Sequence, residues 1–243
     1  MGRKYIDPMP FTDRLLTLLP TQCALCRDWS GERICVRCTE RFTATVPRCE
    51  SCALRVPPGV RHCGQCIKNP PPLHRTLTAV DYAHPWDDLI AKFKFHAALD
   101  LAPALASRLA HAWDASAVPR PTLLLPVPLS DQRLRERGYN QAWEIARRVA
   151  RRLRCAADAQ LLLRIKDTPH QLAFPPERRA ANVRGAFAVE PSRRGELQGR
   201  EVTLVDDVMT TGATAIEIAQ MLRQAGAAEV NLWVVARTPA PGG

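Results

Sequence analysis

From residue 76 onward the chain alternates short apolar runs with longer amphipathic stretches. Residues 76–83, 122–125, 160–165, 187–189, 202–205 and 230–236 are apolar or β-branched and bounded by turn residues, so each predicts a strand. Between them, apolar positions recur at helical spacing. Leu101, Leu105 and Leu109 share one face of a helix over 101–113. Ala142, Ile145, Ala146, Val149 and Leu153 do the same over 140–153. Further helices are predicted over 86–95 and over 214–225, the last closed by Gly226. Strands alternating with helices imply an α/β domain with a mostly parallel sheet flanked by helices. Over 166–184 the periodicity fails and three prolines intervene, which predicts a long loop. Long loops inside compact domains tend to be functional.

The first 75 residues follow a different rule. Residues 11–19 predict a short amphipathic helix, interrupted by Asp13 and Arg14. The stretch has no small-residue cleavage site and does not read as a signal peptide. No apolar run reaches about eighteen residues, so no membrane insertion is expected. A cytoplasmic, reducing compartment follows as the expectation.

Cysteine then replaces hydrophobicity as the organising signal. Eight of nine cysteines form four C-x-x-C pairs: Cys23/Cys26, Cys35/Cys38, Cys49/Cys52 and Cys63/Cys66. The gaps between pairs are 8, 10 and 10 residues. Two C-x-x-C turns complete one tetrahedral Cys₄ site, so four pairs suit two zinc ions in a double zinc ribbon. Sites filled by cysteine leave no open position, which makes these ions structural. Sequential pairing is expected, with crossed pairing left open by the similar gaps. Arg27, Arg37 and Arg48 are candidate partners for the thiolates. His62 reads as a surface histidine and the lone Cys155 as a core residue. The ribbons and the alternating region meet at a proline cluster in residues 68–75. The expected domains are therefore residues 1–70, an N-terminal helix plus double zinc ribbon, and residues 76–243.

Charge adds a preference for anions. The chain carries net +10: +6 in residues 1–75, −2 in 76–119, +9 in 120–200 and −3 in 201–243. Two Zn(Cys)₄ sites would lower the first figure to about +2. A basic field focuses phosphate, pyrophosphate or a nucleic-acid backbone. Much of the arginine run over 147–154 reads as a solvated helix face instead.

The stretch VTLVDDVMTTGAT, residues 202–214, concentrates the chemistry. Ligands of such sheets bind at the carboxyl ends of strands, where Asp206 and Asp207 are expected. Thr210 to Thr214 lead into a helix N-terminus, whose free N–H groups and positive dipole attract an anion. Gly212 permits close backbone approach. Two carboxylates repel a phosphate, so they suit neighbouring hydroxyls or a magnesium ion. Phosphate at one end and a diol beside it describe a ribose 5-phosphate. Neither a Walker loop nor a G-x-G-x-x-G string occurs.

Four hydrophobic residues, two acids and T-T-G-x-T resemble the signature of type I phosphoribosyltransferases. AKFKF (91–95), PVPLSDQRLRERGYNQA (126–142), TPHQ (168–171) and RRAANVRGAF (178–187) extend the resemblance. Behind a cysteine-rich segment, these pieces look like the ComF/GntX family of phosphoribosyltransferase-like proteins. The resemblance implies that Asp206 and Asp207 hold the ribose hydroxyls of phosphoribosyl pyrophosphate (PRPP). Thr210, Thr211, Gly212, Ala213 and Thr214 would cradle its 5-phosphate. The loop with Pro128, followed by Arg133, would face pyrophosphate with Mg²⁺. Residues 166–184 would be the mobile flap, with Arg178 and Arg179 neutralising the leaving group and His170 a loop residue. One of Lys92 and Lys94 is expected to reach the site. Residues 137–141 are divided between ligand contact and helix capping.

The acceptor is not legible. Only residues 237–243 follow the last strand, so any hood over it would come from 76–113 or from the ribbons. Two functions are consistent with this reading. One is a phosphoribosyltransferase acting on an unknown acceptor. The other is a non-catalytic, nucleic-acid-associated protein that uses the fold to read phosphate or nucleotide. The family's link to competence suggests single-stranded DNA or a competence-machinery protein as partner. Against direct strand binding, residues 20–70 hold few aromatics for base stacking, Trp29 and Phe42.

Overall fold

Five parallel strands carry the larger part of the protein, in the order Thr76–Asp81, Glu229–Arg237, Glu201–Met209, Leu123–Pro126 and Ala156–Ala157. The structure, a computed structural model, describes residues 20–166 and 183–240. The helix expected over 11–19, His170, Arg178, Arg179 and most of the expected flap lie outside the described residues. The chain forms two compact units, Met1–Thr43 and Ala44–Gly243.

In the smaller unit, β1 (Thr21–Gln22) pairs antiparallel with β2 (Trp29–Ser30), and α1 (Val36–Phe42) follows. The larger unit opens with a cysteine-rich segment that ends in α2 (Gly64–Lys68). Next come β3 (Thr76–Asp81), α3 (Trp86–Phe95) and α4 (Ala102–Asp114). Then follow β4 (Leu123–Pro126), α5 (Asp131–Arg137), α6 (Gln141–Leu153) and β5 (Ala156–Ala157). After β6 (Leu162–Arg164) and β7 (Phe187–Val189), the chain closes with β8 (Glu201–Met209), α7 (Ala213–Gln224) and β9 (Glu229–Arg237).

The central strands are apolar without alternation because parallel sheets are covered on both faces. Val202, Leu204, Val205, Val230, Val234 and Val235 have no exposed surface. Helix α4 packs on β3 and β9, and α6 packs on α4, β4 and β8. From β4 the chain first adds β5 on one side, then returns through β8 on the other. The crevice between β4 and β8 is therefore the topological switch point, where open α/β sheets bind ligands.

Two expected elements differ from those observed, and two observed ones were not expected. Residues 160–165 do not join the sheet: β6 pairs antiparallel with β7 in a separate ribbon. The fifth sheet strand is β5, whose two alanines carry no apolar signal. Strand β8 runs to Met209, four residues beyond its apolar run, because β9 keeps pairing with it as far as Arg237. Helix α5 has no buried residue and hence no periodicity to read. Ser130 caps its start, and Gly138, in the left-handed region at φ 78°, ends it. Cys155 is only half-buried, at the edge beside β5.

Candidate functional site

Strand β4 stops at Pro126, opposite Val205, while β8 and β9 continue. The next two residues of β8, Asp206 and Asp207, therefore lie beyond the carboxyl end of β4. Asp207 is buried and Asp206 partly so. The Asp207 backbone N–H donates to Asp206 Oδ1 at 2.8 Å, which fixes one carboxylate against the other's peptide.

Lys94, from the last turn of α3, places Nζ 2.9 Å from Asp207 Oδ1. Burial acts to lower the ammonium's pKa, but Asp207 and Asp206 outweigh it and hold it above the ordinary lysine value. Burial, and then the Asp207 charge, push the Asp206 carboxyl upward against the pull of Lys94. Lys92, two residues earlier, is exposed.

After β8, Thr210 and Thr211 turn the chain into α7. Gly212 sits at φ 82°, and a Cβ there would lie 2.5 Å from Met209 Cε. Glycine thus satisfies both a left-handed backbone and a tight approach. The α7 N-cap has no side-chain hydrogen bond. Its first amides and dipole face the same cleft as the aspartates.

That cleft has a volume of about 240 Å³. Asp206, Asp207, Thr210, Gly212, Ala213, Thr214, Pro128 and Arg133 line it together. Thr211 does not; it is exposed, and its Oγ1 accepts from the Ala213 N–H at 3.4 Å.

Residues 137–141 divide between the cleft and its frame. Asn140 caps α6 by accepting from Ala142 and Trp143 N–H at 2.9 and 3.3 Å. Its Nδ2 donates to the Val127 carbonyl at 3.1 Å, tying α6 to the segment after β4. The Tyr139 hydroxyl donates to the Phe93 carbonyl, and Gln141 Nε2 donates to the Lys94 carbonyl at 3.4 Å. These bonds fasten the end of α3, and so Lys94, to the site. Arg137 lines the cleft with its guanidinium 5.2 Å above the Phe95 ring.

Sequence reasoning passed over Phe95, Tyr82, Arg164 and Arg237. The first three line the cleft from elements remote in sequence. Arg237 carried one signal, a charged residue directly after the apolar run LWVVA.

The eight paired cysteines gather into two quartets, Cys23/Cys26/Cys35/Cys38 and Cys49/Cys52/Cys63/Cys66. Pairing is sequential, and in each quartet the ligand atoms lie within 4.8 Å of one another. Both quartets share a local design. The Arg27 N–H donates to the Cys23 carbonyl at 3.0 Å, and the Ala53 N–H to that of Cys49 at 2.8 Å. Arg27 and Ala53 are both left-handed, at φ 67° and 57°. The second pair then starts a helix: Cys35 caps α1 and Cys63 caps α2. A turn and a helix N-terminus both aim N–H groups at sulfur, which favours thiolate. Despite burial, the Cys23 and Cys49 thiols are held down at about 6 by backbone donors. Four sulfurs in that arrangement suit a tetrahedral dication.

His62 belongs to neither quartet; its Nδ1 lies 3.0 Å from Ser51 Oγ. Arg37 and Arg48 pair with carboxylates instead of sulfurs. Arg37 meets Asp28, and Arg48 lies 2.8 Å from Asp81. Carboxylates are the better hydrogen-bond acceptors for a guanidinium. On α6, Arg147 and Arg148 fold back on the buried Glu144, and Arg152 pairs with Asp114. Among the described residues, no helix is long and apolar enough to cross a membrane.

Comparison with known proteins agrees with this geometry. Residues 98–242 match the family described as phosphoribosyl transferase domain. The DNA utilization protein YhgH of Escherichia coli K12 is 35% identical over 230 residues, covering 90% of this chain and 98% of that one. Competence protein F of Haemophilus influenzae is 32% identical over 208 residues, covering 84% and 90%. A solved adenine phosphoribosyltransferase of Leishmania tarentolae aligns with TM-score 0.39 and 15% identity, over 67% of this chain and 91% of that one. With the match spanning four of the five sheet strands and the acid pair, the chain belongs to the phosphoribosyl transferase domain family, as a ComF-like relative of the competence and DNA utilization proteins.

Proposed function

We propose that the β4/β8 cleft binds the ribose 5-phosphate part of PRPP and that the protein transfers the phosphoribosyl group to an acceptor. One observation carries this reading: the acid pair and the entry to α7 line a single cleft. Amides at a helix start suit phosphate, and carboxylates suit a diol. In the reaction, the bond from ribose C1 to the pyrophosphate oxygen breaks and the acceptor's lone pair forms the new bond. Pyrophosphate leaves with the electron pair, and positive charge develops on the ribose. Asp206 and Asp207 orient the hydroxyls beside that charge. Arg133 and Arg137, at the other wall, face the departing anion, and Arg178 is proposed to join them. Mg²⁺ enters as the PRPP complex and neutralises pyrophosphate charge.

We further infer that each quartet holds one structural zinc. All nine cysteines are free of disulfides, which suits a reducing cytoplasm.

The names of the relatives favour a second reading. They concern DNA utilization and competence, so the cleft could serve a nucleic-acid pathway as a phosphate reader without transfer chemistry. Titration calorimetry of the zinc-loaded protein with PRPP and Mg²⁺ tests the first reading. Binding in the low micromolar range is expected, with a loss of at least about 100-fold in D206N/D207N, equal to roughly 2.7 kcal/mol. Absence of binding by the wild type would sink it. Binding without pyrophosphate release, across a panel of planar nitrogen acceptors, would favour the reader.

A further inference from the structure

Arg237 is the last residue of β9 and only 6% exposed. Its guanidinium bonds in two directions at once. Nε donates to the Cys52 carbonyl at 2.8 Å. Nη1 donates to the Met209 carbonyl at 3.1 Å, to the Thr210 carbonyl, and to the Thr238 carbonyl at 2.8 Å. Cys52 belongs to the second quartet. Met209 and Thr210 line the cleft at the root of the α7 entry loop. One planar side chain therefore spans from a metal-ligand residue to the ligand loop.

The surroundings make this bridge stiff. The Thr76 hydroxyl donates to the Ser51 carbonyl at 2.8 Å, and Arg48 holds Asp81 at the end of β3. Cys49, Cys52 and Cys66 share a buried cluster with Met209 and Val234. The quartet's backbone and the loop's backbone are thus packed into one core, with Arg237 bonded to both. A lysine would keep the charge, but its single ammonium cannot fork to two such separate groups of carbonyls.

We propose that Arg237 is a positioning residue through which metal in the second quartet sets the conformation of the 209–212 loop and hence its affinity for phosphate. The affinity part rests on the loop's proposed role in binding PRPP; the mechanical coupling does not. Metal fixes the Cys52 peptide, Arg237 carries that position to the Met209 and Thr210 carbonyls, and their amide neighbours then face the cleft. By reciprocity, a ligand on the loop tightens metal binding in the quartet by the same factor.

Hydrogen exchange on the full-length, zinc-loaded chain tests the coupling without any ligand. Wild type, R237K, C63S and R237K/C63S are compared at the amides of residues 210–216. Residues 123–125 in β4 serve as the internal reference. Each single substitution is expected to speed loop exchange about tenfold, and the double no further, because both cut the same link. The proposal is overturned if R237K leaves loop exchange unchanged, or if the two effects multiply. It is equally overturned if 123–125 accelerate as much as the loop, since Arg237 would then only support the fold. Calorimetry with PRPP and Mg²⁺ on the same four proteins should give a parallel loss of about tenfold, again not deepened in the double. Intact exchange coupling with no PRPP binding to wild type would leave the bridge standing and remove the proposed ligand.

Discussion

Asp206 illustrates how a residue of the proposed ligand site opposes stability. Burial and the neighbouring Asp207 raise its carboxyl to about 8, so the folded protein keeps this proton to a higher pH than the unfolded chain does. The native state then binds more protons, and stability falls as pH climbs from about 4 toward that value. D206N removes the titration. We expect it to unfold at a Tm higher by about 2–4 °C at neutral pH, near 1 kcal/mol, and with a flatter pH profile than wild type. Thermal melts from pH 5 to 8 check this; a lower Tm for D206N across that range would refute it. The same variant should lose PRPP. Much of this residue-level site was legible: acids next to a small hydroxyl loop are a local pattern. Lys94 was narrowed only to one of two lysines, because its role depends on where the end of α3 packs. Arg237 was missed because its partners lie 28 and 185 residues away in the chain.

At the scale of elements, the entry to α7 depends on one backbone conformation. Gly212 at φ 82° would cost an alanine about 1–2 kcal/mol, whereas Met209, as a flexible neighbour, can move aside. G212A should therefore fold, lose roughly that stability in urea titration, and lose at least about tenfold in PRPP affinity as the amides rotate away. Retained affinity would show that the loop does not grip the ligand through its backbone. The length of α7 and the apolar face of α6 were readable because helical periodicity survives in any context. The extension of β8 was not, since a strand's last residues are set by the neighbour that pairs with them. Short α5 and β5 escaped for the opposite reason: they bury too little to leave a pattern.

At the scale of the whole molecule, the second quartet is part of the larger unit's core. We therefore expect a fragment of residues 44–243 to unfold cooperatively and carry about one zinc per chain, as measured by thermal melt and metal analysis. A fragment of residues 71–243 lacks Cys49, Cys52 and Cys66 from that core and should aggregate or melt without a sharp transition. Cooperative folding of the shorter fragment would show that this quartet is dispensable. The cysteine spacing announced both quartets, yet not that one is woven into the sheet domain, because spacing records which cysteines group and not what their backbone packs against. The same turn-and-helix design thus occurs twice in very different surroundings. In the first copy Cys26 is exposed, while in the second every sulfur-bearing residue is at least partly covered. A chelator or a competing metal would reach an ion in the first quartet directly, and one in the second only past Cys63, its single partly exposed member. With one ion in each quartet, as proposed, the repeated design would have two exchange lifetimes, short in the first copy and long in the second.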